Sequence, residues 1–132
     1  MKFPRFAKYQ LPLLIWIGVI FGISAIPSIP VVKFPISPDK IAHVAIYFVL
    51  CFVAYRAFYH QNALPWFQRN SLLAAFVFTV MYGVLDEIHQ LYVPGRWGDV
   101  YDAVADSLGG VLFVGWFRWK SQRNSHKRDA GK

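Results

Sequence analysis

Four apolar stretches, each close to the length that crosses a bilayer, constrain this chain more than any other feature. A transmembrane helix needs about 20 mostly apolar residues. The stretches are Leu11–Ile29, roughly Ile41–Phe58, Ser71–Leu91 and about Asp99–Trp119. Prolines punctuate them. Pro12 stands where the first opens, and Pro27 and Pro30 close it. Proline suits the first turn of a helix and ends it elsewhere. Pro38 and Asp39 precede the second stretch, where an acid meets the positive end of the helix dipole. Pro94-Gly95 stops the third. Composition agrees, at 56% apolar and 16% charged. A soluble chain runs at about 45–50% apolar and about 25% charged. One soluble core of this length has no room for so many Phe, Trp, Leu, Ile and Val side chains. The sequence therefore predicts an all-α integral membrane four-helix bundle with short connections. It divides into a basic N-terminus (1–10), the spanning domain (11–119) and a basic tail (120–132).

The start imitates a signal peptide. Lys2, Arg5 and Lys8 precede Leu11–Ile23, and Ser24-Ala25 has the small residues of a cleavage region. The three apolar stretches that follow favour a retained first span. The single cysteine, Cys51, lies in an apolar run and has no partner for a disulfide or a zinc site. It reads as a small core or lipid-facing residue.

The charge distribution sets an orientation. Lys2, Arg5, Lys8, Arg56, Arg69, Arg118, Lys120, Arg123, Lys127, Arg128 and Lys132 fall on one side of the four spans, eleven in all. Lys33, Lys40 and Arg96 fall on the other. The positive-inside bias places both termini of this multi-pass chain in the cytoplasm. Only Asp129 is an acid on that side, and Asp39, Asp86, Glu87, Asp99, Asp102 and Asp106 are on the other. The two faces then carry +10 and −3. Anionic lipid and topology selection account for the basic tail, so no nucleic-acid partner is expected.

The polar residues gather at the outer ends of three spans. His43 and Tyr47 share a face of the second, four residues apart. The third ends Asp86-Glu87-Ile88-His89-Gln90, followed by Arg96 on a tight turn. Asp99, Asp102 and Asp106 lie on one face of the fourth, in line with Gly109. Small residues line helix contacts in membranes, so the acid face is also the packing face. On the third span, Thr79, Gly83, Glu87 and Gln90 form the stripe with the smaller residues. That stripe is expected inward, with Asp86 and His89 nearer the headgroups. Asp106 is the deepest acid, roughly 6 Å below Asp102 at about 1.5 Å per residue. An acid there should find a partner or be protonated.

Three readings of the cluster stand. In one, His43, Glu87 and Asp102 are catalytic or bind a divalent metal, since imidazole and carboxylates suit Zn or Mn. Lys40, Tyr47, Gln90, Arg96, Asp99 and Asp106 would then hold substrate, with Arg96 forking a phosphate or carboxylate. Glu87-Ile88-His89-Gln90 is not HExxH, so no metal is assigned from spacing. In the second, the cluster binds or passes a cationic group. In the third, it is a structural network that locks the bundle.

Asp39-Lys40-x-x-His43 with Tyr47, Glu87-x-x-Gln90, Pro94-Gly95-Arg96, and Asp102 with Gly109 together resemble the VanZ-like family over about residues 38–117. The resemblance implies a small bacterial envelope protein, from a family named for a link to resistance to teicoplanin, a glycopeptide that binds cell-wall precursors. It implies an inner-membrane location and no established mechanism or cofactor. The expectation drawn from the outer cluster is a protein acting on or binding a cell-wall or lipid-linked molecule at the outer leaflet, with a divalent metal as the cofactor candidate of the catalytic reading. Asp106 is a departure, because the family often has Asn there.

Overall fold

The computed structural model describes residues 4–27 and 38–129. All regular structure among them is helical: α1 (Arg5–Ser24), α2 (Pro38–His60), α3 (Pro65–Arg69), α4 (Ser71–Gln90) and α5 (Val100–Asp129). Four of these helices are long and apolar enough to cross a membrane. The all-α architecture expected from the apolar runs is the one observed.

Three boundaries differ from the expected ones. Helix α1 begins at Arg5 and carries Pro12 in its interior. Pro4, at φ −56° and ψ 144°, sets the start. The first turns are then held by α2. Gln10 Nε2 donates to the Ala57 carbonyl at 3.2 Å, and the Tyr9 ring stacks on His60 at 3.7 Å. These contacts offset the one backbone hydrogen bond that Pro12 removes. The expected end of this span at Ile29, like Pro30, Lys2, Lys33 and Lys132, lies outside the described residues. Helix α5 continues beyond Trp119 into the basic tail. Lys120 lies over the Trp116 ring at 4.8 Å and Arg123 over Trp119 at 4.7 Å, cation–π pairs at the i,i+4 spacing that supports a helix. Finally, Pro65 at the first helical position starts the short α3 in what reads as a connection.

Helix α2 is the centre of the bundle and packs against α1, α4 and α5. Its buried stripe is Tyr47, Leu50, Cys51, Ala54 and Ala57, met by Leu13 and Ile20 of α1, Ala75 of α4 and Phe113 of α5. The free thiol of Cys51 is thus a core group. Alanines at the contacts let the backbones approach, as in membrane bundles generally. The outward faces are the inverse of a soluble protein. Leu14, Ile15, Leu73, Met81, Leu85, Val104 and Leu112 are all exposed. A surface this apolar matches lipid tails.

The closest approach is between α2 and α5 at Gly109. A methyl group there would strike the Val44 carbonyl and the Phe48 amide of α2, both backbone atoms that cannot turn aside. At Gly115, six residues on, there is open space. Gly109→Ala should therefore lower stability by about 1–3 kcal/mol through overpacking. Gly115→Ala should be neutral or stabilising, by up to about 1 kcal/mol from helix propensity. Thermal unfolding of both variants in detergent checks this, and equal melting temperatures would refute the contact.

Candidate functional site

Helix α2 presents Lys40, His43 and Tyr47 on one stripe, and α5 faces it with Asp102 and Asp106. Burial is nearly complete for all but the half-buried His43: Lys40 is 8% exposed, Tyr47 and Asp102 1% and Asp106 0%. A carboxylate withdrawn from water needs a partner to offset its desolvation. The two helices supply the partners as rungs. Lys40 Nζ reaches Asp102 Oδ1 at 2.6 Å and Asp99 Oδ2 at 3.0 Å. One turn deeper, His43 Nδ1 lies 2.8 Å from Asp106 Oδ1. Tyr47 follows, its ring stacked with His43 and its hydroxyl buried without a hydrogen-bond partner among the described residues.

Asp99 sits just ahead of α5, and its Oδ1 accepts the Tyr101 amide at 2.9 Å, an Asx-type start to the helix. Its own backbone amide donates to Glu87 Oε2 at 2.7 Å. Glu87 therefore pins the beginning of α5 to the end of α4. Gln90 Nε2 donates to Glu87 Oε1 at 3.2 Å and to Asp86 Oδ2 at 3.3 Å.

Asp86 departs from the expected arrangement. It is 5% exposed and accepts a hydrogen bond from Ser24 Oγ of α1 at 2.8 Å. Both stripes of α4 face protein, because α5 covers the Glu87 side and α1 covers the Asp86 side. The reading from small residues found the first neighbour and missed the second. His89 is half-buried, stacked on Phe21 of α1 at 4.5 Å. Ser24 was the other omission. Nothing in its sequence context distinguishes it from a small residue near a helix end.

Arg96 is turned toward α1. Its Nε donates to the Ile26 carbonyl at 3.1 Å and its Nη2 to the Ile23 carbonyl at 3.2 Å. These carbonyls lie at and just beyond the helix end, and the Ile23 carbonyl also accepts the Ile26 amide at 3.2 Å. Its Nη1 reaches Gln90 Oε1 at 3.5 Å. The guanidinium fork expected for a phosphate or carboxylate is thus engaged in holding α1.

The group of metal-ligand type that the fold assembles is His43, Glu87 and Asp106, whose ligating atoms all lie within 4.8 Å of one another. Asp102, the acid expected in that role, belongs to Lys40. Asp106 Oδ2 is buried without a hydrogen-bond partner among the described residues, and it lies against the position where Gly83 lacks a side chain. Beside the group is a cavity of about 50 Å³ lined by Ser24, His43, Tyr47, Asp86, Gln90 and Arg96. A water needs about 10–15 Å³ of such space, so the cavity has room for a few waters or one small ionic group. The nine candidate residues named from sequence all lie at this end of the bundle. Asp86 and Ser24 join them.

The family model described as VanZ/LLP1 covers residues 4–121. No curated protein and no solved structure matches.

The Lys40–Asp102 contact can be tested as a pair. Removing one member of a buried ion pair leaves an uncompensated charge and costs about 3–5 kcal/mol. Lys40→Met should therefore lower the melting temperature sharply, and Lys40→Met with Asp102→Leu should recover a large part of the loss. Simple addition of the two single losses would show that the residues are not coupled.

Proposed function

This chain belongs to the VanZ/LLP1 family, and on that premise we propose that it is a bacterial envelope protein that binds a lipid-linked or cell-wall molecule at the outer leaflet through its acidic mouth. One observation carries the proposal. Asp86, Glu87, Asp99, Asp102 and Asp106 gather at one end of the bundle, where Asp86 lines a cavity of about 50 Å³. Among the described residues, the fixed cations there are Lys40 and Arg96. Acid in excess at a membrane surface favours a cationic or strongly hydrogen-bonding group on the ligand. The small volume favours capture of one such group, an amine or a metal-bound oxygen, with the rest of the molecule in the headgroup layer.

Orientation is part of the proposal. The basic excess at the other end puts both termini in the cytoplasm and the acidic mouth outside. A fluorescent-protein fusion at the C-terminus should fluoresce, and an alkaline phosphatase fusion at the same place should stay inactive. The reverse pattern would turn the mouth to the cytoplasm.

Metal-dependent or acid–base chemistry at the same mouth is the second reading. It is favoured by the convergence of His43, Glu87 and Asp106. An imidazole with two carboxylates suits Zn or Mn. A bound ion would polarise a phosphoryl or carbonyl oxygen of the ligand. Lys40, Tyr47 and Asp99 would then line its approach.

The two readings separate on purified protein. Wild type should retain an extractable lipid-linked molecule that Glu87→Gln loses while it still inserts and unfolds cooperatively, its melting temperature lowered by no more than loss of the ligand accounts for. Loss of folding in Glu87→Gln, Asp106→Asn and Asp102→Asn alike would leave only a structural role for the cluster. Stoichiometric Zn or Mn that disappears in Asp106→Asn would favour the metal reading. Teicoplanin susceptibility of cells with and without the protein tests the link implied by the family's name.

A further inference from the structure

The opposite end of the bundle carries a second feature, unrelated to the acidic mouth. A groove of about 490 Å³ opens among α2, α3, α4 and α5. Its polar rim includes Arg69, at the end of α3, and Arg118, on α5. Its apolar wall includes Leu73, Phe76 and Val114. No Asp or Glu lines it.

The two arginines differ from their basic neighbours. Lys120 and Arg123 rest on Trp116 and Trp119, and Arg56 lies over Tyr9 and Phe52. Arg69 and Arg118 have neither an ion pair nor a hydrogen bond among the described residues, and both are exposed. Guanidinium groups match phosphate oxygens in a planar, two-point fork.

The depth of the groove is marked by tryptophan. Trp66, Trp116 and Trp119 are all exposed at this end. Exposed tryptophans of a spanning protein collect at the level of the headgroups. Arg69 and Arg118 therefore stand at the phosphate layer, and Leu73, Phe76 and Val114 reach from it into the hydrocarbon.

We propose that this groove is a binding site for an anionic phospholipid, with the phosphate between Arg69 and Arg118 and an acyl chain along Leu73, Phe76 and Val114. Charge selects the lipid. Two uncompensated cations beside an apolar wall favour a net-negative glycerophospholipid over a zwitterionic one, whose own cation would meet the arginines. Basic pockets between spanning helices recognise anionic headgroups in this way.

The test uses the full chain in nanodiscs of phosphatidylcholine, titrated with phosphatidylglycerol and read by native mass spectrometry and thermal unfolding. Phosphatidylglycerol should bind in preference to phosphatidylcholine and raise the melting temperature. Arg69→Gln with Arg118→Gln should weaken that binding by at least about tenfold, the scale of one charge-assisted hydrogen bond. Arg123→Gln, outside the groove, should leave it unchanged. Arg69→Lys with Arg118→Lys keeps the charge and loses the two-point fork, so it should bind more weakly than wild type and more tightly than the double Gln variant. Equal retention of both lipids, or undiminished phosphatidylglycerol binding by the double Gln variant, would overturn the site. Inorganic phosphate and glycerol phosphate should cause no shift. A shift as large as the lipid's would mean that the arginines hold phosphate alone, and the lipid assignment would fail.

Discussion

The seam between α2 and α5 is the interaction on which the rest of this structure depends. Lys40 meets Asp102 and Asp99, His43 meets Asp106, and below these rungs Gly109 lets α5 touch the backbone of α2. In lipid there is no hydrophobic drive to bring helices together, because the surroundings are as apolar as the side chains. Packing and polar contacts must do it. The seam supplies both along one line. Asp102, Asp106, Gly109 and Phe113 follow one another on the same face of α5, from the polar surface to the buried core. A charge left unpaired on that face would oppose insertion, so the rungs reinforce the register that the close approach at Gly109 fixes.

The other helices are fastened to this pair by single groups with definite tasks. Glu87 accepts the amide of Asp99 and so joins the end of α4 to the start of α5. Ser24 and Asp86 join α1 to α4, and Arg96 donates to two carbonyls at the end of α1 and just beyond it. The same side chains that would meet a ligand therefore hold the helices in place. That double duty explains why the mouth is narrow. Most of its donors and acceptors already have partners, and the buried polar atoms that remain among the described residues are the Tyr47 hydroxyl, His89 Nδ1 and one oxygen of Asp106. A ligand group that enters would bind at these groups or replace an existing contact.

The two ends of the bundle treat charge in opposite ways. At the acidic end, charges are buried and paired across helices. At the basic end they are exposed, and several rest on aromatic rings of their own or a neighbouring helix. Pairing is needed where water is excluded. Where the chain emerges among lipid phosphates, the membrane itself can supply the counter-charge.

The sequence by itself determined the helical class, the number of spans and the end at which the polar groups gather. Length and apolarity suffice for the first two, since a segment in lipid must bond its own backbone as a helix. Spacing suffices for the third, since Asp102, Asp106 and Gly109 fall on one face whatever they meet. Only the tertiary structure decided the partners. Asp86 and Glu87 are adjacent in sequence and look equally plausible as inward residues. The docking of α1 on one side of α4 and α5 on the other brings both inside. Likewise, nothing in spacing assigns Asp106 to His43 and Asp102 to Lys40. That choice follows from the relative height of two helices, which the close approach at Gly109 fixes. Helix periodicity is local and can be read along the chain, whereas register between helices is a property of their contact.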